Sequence, residues 1–360
     1  MTRTVEKDLL ELVSIYSPTG KEGMASVWFR NKLEENGFSE VSIKGPGNAS
    51  GRLPGSGLKI LLCGHIDTVP GKLPVRISGD QLTGRGSVDA KSSLISFLHG
   101  ALLAKKNGFH GTIDVIAAVG EEGSGKGIEE IAMNHEKADF AILGEPSGAT
   151  SITVGYRGRL LIETKYRTGT FHASAPWMGK SAIESAIYDW NAMIKHYGQN
   201  SEFSKVSVAL TYLRGGHAHN VTPSSAKMLL DVRYPLSIKK DRLMAEIKEV
   251  LELDGSKTCK RTMEVKGFSD PYVSNLRNDL VRSFKVSILE ISGETPQMVF
   301  KSGSGDMSYL ANAWNIPCIT FGPGNTQLSH TGEERISIDE VEKCSRIIAG
   351  ALIRLEELHC

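Results

Sequence analysis

The sequence predicts an α/β protein: a mixed, largely parallel sheet covered by helices, carrying an inserted ferredoxin-like α+β domain. Two observations predict it. Short apolar runs recur along the chain, each ending in a glycine-containing loop and often followed by a helix-like stretch. That alternation belongs to a sheet covered by helices on both faces. Between the third and fourth runs, residues 157–267 break the pattern and read β-α-β-β-α-β, the ferredoxin-like order.

The elements follow in chain order. Residues 4–16 and 22–36 have helical spacing of apolar positions, with Ser17-Pro18-Thr19-Gly20 as the break. Residues 45–57, rich in Gly and Pro, read as a surface loop. The runs 58–64, 112–120, 139–144 and 316–322 are rich in Val, Ile and Leu and suit strands buried on both faces. Helical stretches at 91–105, 127–135 and 339–357 lie between or after them. Inside the insertion, 159–168, 206–215, 226–234 and 261–267 read as strands, and 180–196 and 239–253 as helices. Residues 1–156 and 268–360 then form a catalytic domain, and 157–267 the insertion.

Composition narrows the function. With 42 Lys and Arg against 41 Asp and Glu, the net charge of +1 provides no bulk basic field for nucleic acid. No apolar run reaches the ~18–20 residues of a membrane span. The start MTRTVEKDLLELV lacks the apolar core of a secretory signal. The five cysteines, at 63, 259, 318, 344 and 360, include no Cys-x-x-Cys pair, which argues against a disulfide framework or a thiolate zinc site. A cytoplasmic, soluble protein is expected. The 38 glycines exceed the ~7 % average. Gly64, Gly86, Gly120 and Gly144 flank the candidate residues below and read as turn positions.

Sites in open α/β sheets form at the carboxyl ends of strands. His65 and Asp67 follow the first run, and Asp89 lies in the loop that opens the next helix. Glu121 and Glu122 follow the second run, Glu145 the third, and His330 the fourth. One such residue alone is ordinarily solvated or a helix cap; the coincidence over all the strand ends is what points to a site. Two imidazoles with several carboxylates suit a divalent transition metal such as zinc, and allow two metals sharing a bridging carboxylate. Of the pair Glu121-Glu122, one side chain can ligate while the other serves as general base. Asp67 is placed to hold the second imidazole nitrogen of His65. His217 and His219 lie in the insertion, away from these carboxylates. Residues 120–126 fit the phosphate-loop spacing G-x-x-x-x-G-K, but Gly127 stands where Ser or Thr is needed, and two glutamates would repel the phosphates. Nucleotide binding is therefore the weaker reading.

The segments Gly64-His65-Ile66-Asp67-Thr68-Val69-Pro70, residues 84–91, Glu121-Glu122-Gly123, Gly144-Glu145-Pro146 and the late His330 resemble, in order, the motifs of the zinc-dependent aminoacylase, desuccinylase and carboxypeptidase family. The resemblance implies a zinc-exopeptidase-like fold with a lid and dimerisation domain. It implies two divalent metal ions, zinc or cobalt, with Asp89 bridging, His65 and Glu145 completing one site, and Glu122 and His330 the other. Glu121 becomes the general base and acid, and Asp67 the residue that orients His65. His172 becomes the oxyanion donor, often supplied by the partner subunit of a homodimer. Asn220, Arg233, Gly303 and Ser304 become substrate contacts, with Arg233 gripping a carboxylate. Residues 300–307 and 322–325 further resemble hydrolases that release lysine or ornithine from a small acidic carrier protein in amino-acid biosynthesis. Acetylornithine deacetylase and succinyl-diaminopimelate desuccinylase share the same metal motifs and are the alternatives, with a non-catalytic binding protein as the remote one.

Overall fold

The computed structural model describes residues 2–252 and 259–359. Cys360 and the last position of the helix expected at 239–253 lie outside them. The chain divides into two compact units: 1–155 with 274–300 and 305–360, and 156–273 with 301–304. No helix among the described residues is long and apolar enough to cross a membrane.

The first unit is built on a mixed sheet. Its strands run in the spatial order Ser39–Lys44, Asn48–Leu53, Thr112–Ala118, Lys59–His65, Phe140–Gly144, Cys318–Thr320, Ser151–Tyr156. The central four are mutually parallel, and the strands flanking them are antiparallel. Alternate side chains leave a strand on opposite faces. Ile60 and Leu62 enter a core with Phe97, Leu98 and Ile348, under the helices Lys91–Lys106, Asp279–Ser292 and Ile338–Glu357. Cys63 points the other way, near Asp306, at the start of the helix Asp306–Trp314. That helix packs on Lys126–Asn134, where the Trp314 indole N–H donates to the Ala132 carbonyl at 2.9 Å.

One expectation is corrected. Residues 48–53, read as part of a surface loop, form a sheet strand between 39–44 and 112–118. Ala49, Gly51 and Leu53 are buried. A Cβ on Gly51 would lie 3.1 Å from Phe38 and 3.2 Å from Leu33. The glycine that suggested a loop is there so that the helix Gly23–Glu35 can approach the sheet. The strand Ser151–Tyr156 and the helices 279–292 and 306–314 were not assigned from sequence.

The second unit carries a four-stranded antiparallel sheet in the order Ser207–Gly215, Ser225–Tyr234, Gly158–Arg167, Lys260–Ser269. The helices Ala182–Tyr197 and Lys240–Glu252 supply the two α positions of the expected order. Its core joins Leu160, Ile162, Met228 and Leu230 to Ala186, Met193 and Leu243. Helix 182–197 starts at a capping box: Ser181 accepts from the Glu184 amide, and Glu184 accepts from the Ser181 amide.

Candidate metal centre

The parallel strands place the chemistry. His65 ends its strand, in register with Ala118, and is 2 % exposed. The next residues leave the sheet together with those after 118. Asp67 is fully buried, and its carboxylate ties three segments. It accepts from the Thr19 hydroxyl at 2.7 Å and from the Glu121 and Glu122 amides at 3.1 Å each. Burial works against its charge, but His65, Thr19 and the Glu122 amide outweigh it and hold its pKa below the usual range. Nδ1 of His65 lies 2.9 Å from the Asp67 backbone carbonyl and 3.6 Å from its carboxylate. A carbonyl only accepts, so Nδ1 carries a proton, which leaves Nε2 as the nitrogen a cation would take. Asp67 thus lies against His65, and the nearer acceptor is its main chain.

Nε2 of His65 faces Asp89 at 3.1 Å and Glu145 at 3.7 Å. His330, half-exposed, puts Nε2 at 2.7 Å from Glu122 and 3.3 Å from Asp89. Asp89 thus lies between two imidazoles, and their hydrogen bonds overcome burial to hold its pKa far below the usual range. Potential ligand atoms of His65, Glu121 and Glu145 lie within 4.8 Å of one another, and so do those of His65, Asp89 and Glu122. Glu121 thus shares the space of the expected ligand pair His65 and Glu145. The structure brings together all the residues expected from the strand ends.

The cluster is crowded with carboxylates. Burial pushes Glu121 up to about 8, aided by Asp306, Glu122 and Asp89 and opposed by His65. Burial also raises Glu122. Asp306 was not expected here. Burial and the charges of Glu145 and Asp67 push it up to about 7, against His65. The His330 imidazole rises to about 9, first through its hydrogen bond to Asp89. Converging carboxyl groups with two imidazoles are a donor set that fits divalent cations.

The remaining expected residues lie in the second unit. His172 is exposed; its Nδ1 accepts from the Ser174 amide at 3.2 Å and lies 2.7 Å from the Ser174 hydroxyl. The segments of His172 and Asn220 run side by side, with the Ala173 amide donating to the Asn220 carbonyl at 2.9 Å. Arg233 pairs with Asp231 and lies 3.5 Å from the Ser304 hydroxyl. It lines an open groove of about 540 Å³ with Arg157, Asn200 and Ser302; Gly303 is exposed beside Ser304.

A second unexpected residue supports the centre from behind. Glu334, 1 % exposed, accepts from the amides of Gly86, Val88 and Asp89 and from the Arg85 guanidinium. Asp306 follows the strand Gln297–Lys301, so the strand-end rule reaches it once that strand is recognised. No local pattern marks Glu334.

A Pyrococcus abyssi protein named for LysW-lysine/LysW-ornithine hydrolysis is 35% identical over 353 residues, 97% of this chain and 94% of its own. The LysW-lysine/LysW-ornithine hydrolase of Sulfurisphaera tokodaii is 33% identical over 341 residues, 94% of this chain and 92% of its own. Aminopeptidase PepT from Bacillus cereus shares the fold, with a TM-score of 0.85 at 22% identity over 99% of both chains. The description Peptidase family M20/M25/M40 matches residues 61–354, and the chain belongs to that family.

Proposed function

We propose that this chain is a metal-dependent amide hydrolase that releases lysine or ornithine from a small acidic carrier protein, in amino-acid biosynthesis. The observation that carries the reaction is the convergence of His65, Asp89, Glu122, Glu145 and His330 around Glu121. The names of the relatives at 33–35% identity support the substrate.

In this reading Asp89, His65 and Glu145 hold one divalent cation, and Asp89, Glu122 and His330 a second, with zinc the first choice and cobalt the alternative. When bound, such a pair supplies Lewis-acid charge at the amide carbonyl and makes water acidic enough to be deprotonated near neutral pH. Glu121 takes the proton of the attacking water, whose oxygen adds to the carbonyl carbon. As the C–N bond breaks, Glu121 returns that proton to the leaving nitrogen. Asp67 holds His65 in the tautomer that offers Nε2. Because Nδ1 of His172 accepts from Ser174, its Nε2–H is a donor suited to the developing oxyanion. Arg233, with Asn220, Gly303 and Ser304, contacts the substrate, its fork suited to a carboxylate. Residues 157–267 act as lid and dimerisation domain of a cytoplasmic homodimer, and 1–156 with 268–360 as the catalytic domain.

Two experiments test this. Glu121→Gln should keep its metal by elemental analysis and lose about 10³-fold in kcat; full turnover would remove Glu121 from the mechanism. A hydrolysis panel should include carrier-linked lysine, carrier-linked ornithine, acetylornithine and succinyl-diaminopimelate. Turnover of acetylornithine with the carrier-linked compounds inert would overturn the substrate assignment.

A further inference from the structure

Glu334 lies four residues after His330, yet its side chain is spent on the loop that carries Asp89. One oxygen, Oε1, accepts three main-chain N–H bonds, from Gly86 at 2.9 Å, Val88 at 3.0 Å and Asp89 at 3.1 Å. The other, Oε2, accepts from Arg85 Nη1 at 2.8 Å. The Glu334 main-chain carbonyl also accepts from the Gly84 amide at 3.2 Å. Gly86, at φ +85°, turns the loop so that its amides converge on one oxygen, a small anion nest. The pairing then continues as Arg335–Ser337 lies antiparallel to Gln81–Thr83. His330 itself sits at φ +65°, a conformation a non-glycine residue keeps only when its surroundings impose it.

We infer that Glu334 is a positioning residue: it clamps the Asp89 loop to the His330 loop and thereby sets the spacing of two of the groups assigned to the cations. The inference rests on the two-cation hydrolase reading above. It divides the labour of one carboxylate, with Oε1 positioning Asp89 through the amides and Oε2 neutralising the buried Arg85.

That division makes the test specific. Glu334→Gln keeps a carbonyl oxygen for the three amides and turns its NH₂ toward Arg85, because the opposite orientation would set NH₂ against three donors instead of one. Glu334→Asp keeps the charge but is one methylene short of the nest. Glu334→Ala removes both functions. Zinc affinity is measured by chelator competition, the cobalt-loaded protein by its visible absorption, and the metal-free protein by its Tm. Second-layer contacts of this kind change metal affinity about 10–100-fold, so Ala and Asp should weaken zinc binding in that range and alter the cobalt spectrum. Gln should weaken it less than about fivefold on the same principle while still lowering Tm. A merely structural Glu334 predicts that affinity follows Tm across the series, and that outcome overturns the assignment. So does unchanged zinc affinity in the Asp variant, which keeps the test decisive if Ala does not fold. Absence of zinc or cobalt binding by the parent protein would instead strike the hydrolase reading itself.

Discussion

Asp67 spends its hydrogen-bonding capacity on holding neighbours, whereas Glu121, Glu122 and Asp306 carry charge that the cation-free protein resists. Burial first, and then neighbouring carboxylates, raise all three, Glu121 to about 8 and Asp306 to about 7. The imidazoles are raised as well, His330 to about 9. At pH 7 Glu121 and His330 therefore hold protons that a bound cation would expel. Binding of zinc to the metal-free protein should release ~2 protons, and affinity should increase with pH up to about pH 9. Titration calorimetry in buffers of different ionisation enthalpy measures the number; a heat independent of buffer counts against this electrostatic picture. The residues themselves were largely legible, because His65, Glu121 and Glu145 each follow a short apolar run that suits a buried strand. Asp306 was hidden behind the strand 297–301, whose half-exposed positions lack the continuous apolar signature. Glu334 was hidden more deeply, since a side chain that bonds main-chain amides leaves no pattern in the residues it touches.

At the scale of elements, packing decided what local sequence left ambiguous. Gly144 sat among the glycines expected to make turns, yet a Cβ there would meet Phe97 at 2.8 Å and Ser93 at 2.9 Å. Close approach of the helix 91–106, not a turn, requires it, whereas Gly120 at φ +78° is a turn residue as expected. The strand 48–53 was missed for a related reason, and it carries a testable contact. Arg52 and Asp114 stand opposite each other across the antiparallel pair and are joined by two hydrogen bonds, at 2.7 and 2.9 Å. Asp114 is 2 % exposed. Burial opposes its charge, but His135 and Arg52 outweigh burial and hold its pKa below the usual value. A depressed folded-state pKa contributes stability that is complete above the unfolded value of ~3.9 and is lost as pH falls through the folded one. Asp114→Asn should therefore cost about 3 kcal/mol at pH 7, as expected for breaking a buried pair. The difference from the parent should shrink as pH falls below about 4. Urea unfolding at pH 7 and pH 3 measures both, and an equal cost at the two pH values would contradict the ionised pair.

At the scale of the molecule, the inserted β-α-β-β-α-β order was readable because the pattern changes at both ends of the insertion. That residues 301–304 cluster with the second unit was not, since contacts between distant stretches have no local signal. Each unit has its own hydrophobic core, which predicts two cooperative unfolding transitions rather than one. All the proposed metal ligands belong to the first unit, so cations should stabilise only its transition. A ligand at 1,000 times its Kd contributes about 4 kcal/mol. In a unit of this size that raises Tm by about 10 °C. Scanning calorimetry with and without a chelator should move one transition by that amount and leave the other in place. Asp114→Asn identifies the mobile transition, because its pair lies in the first unit. Equal movement of both transitions under chelation would mean that the units do not unfold separately, and that the two cores are one cooperative structure.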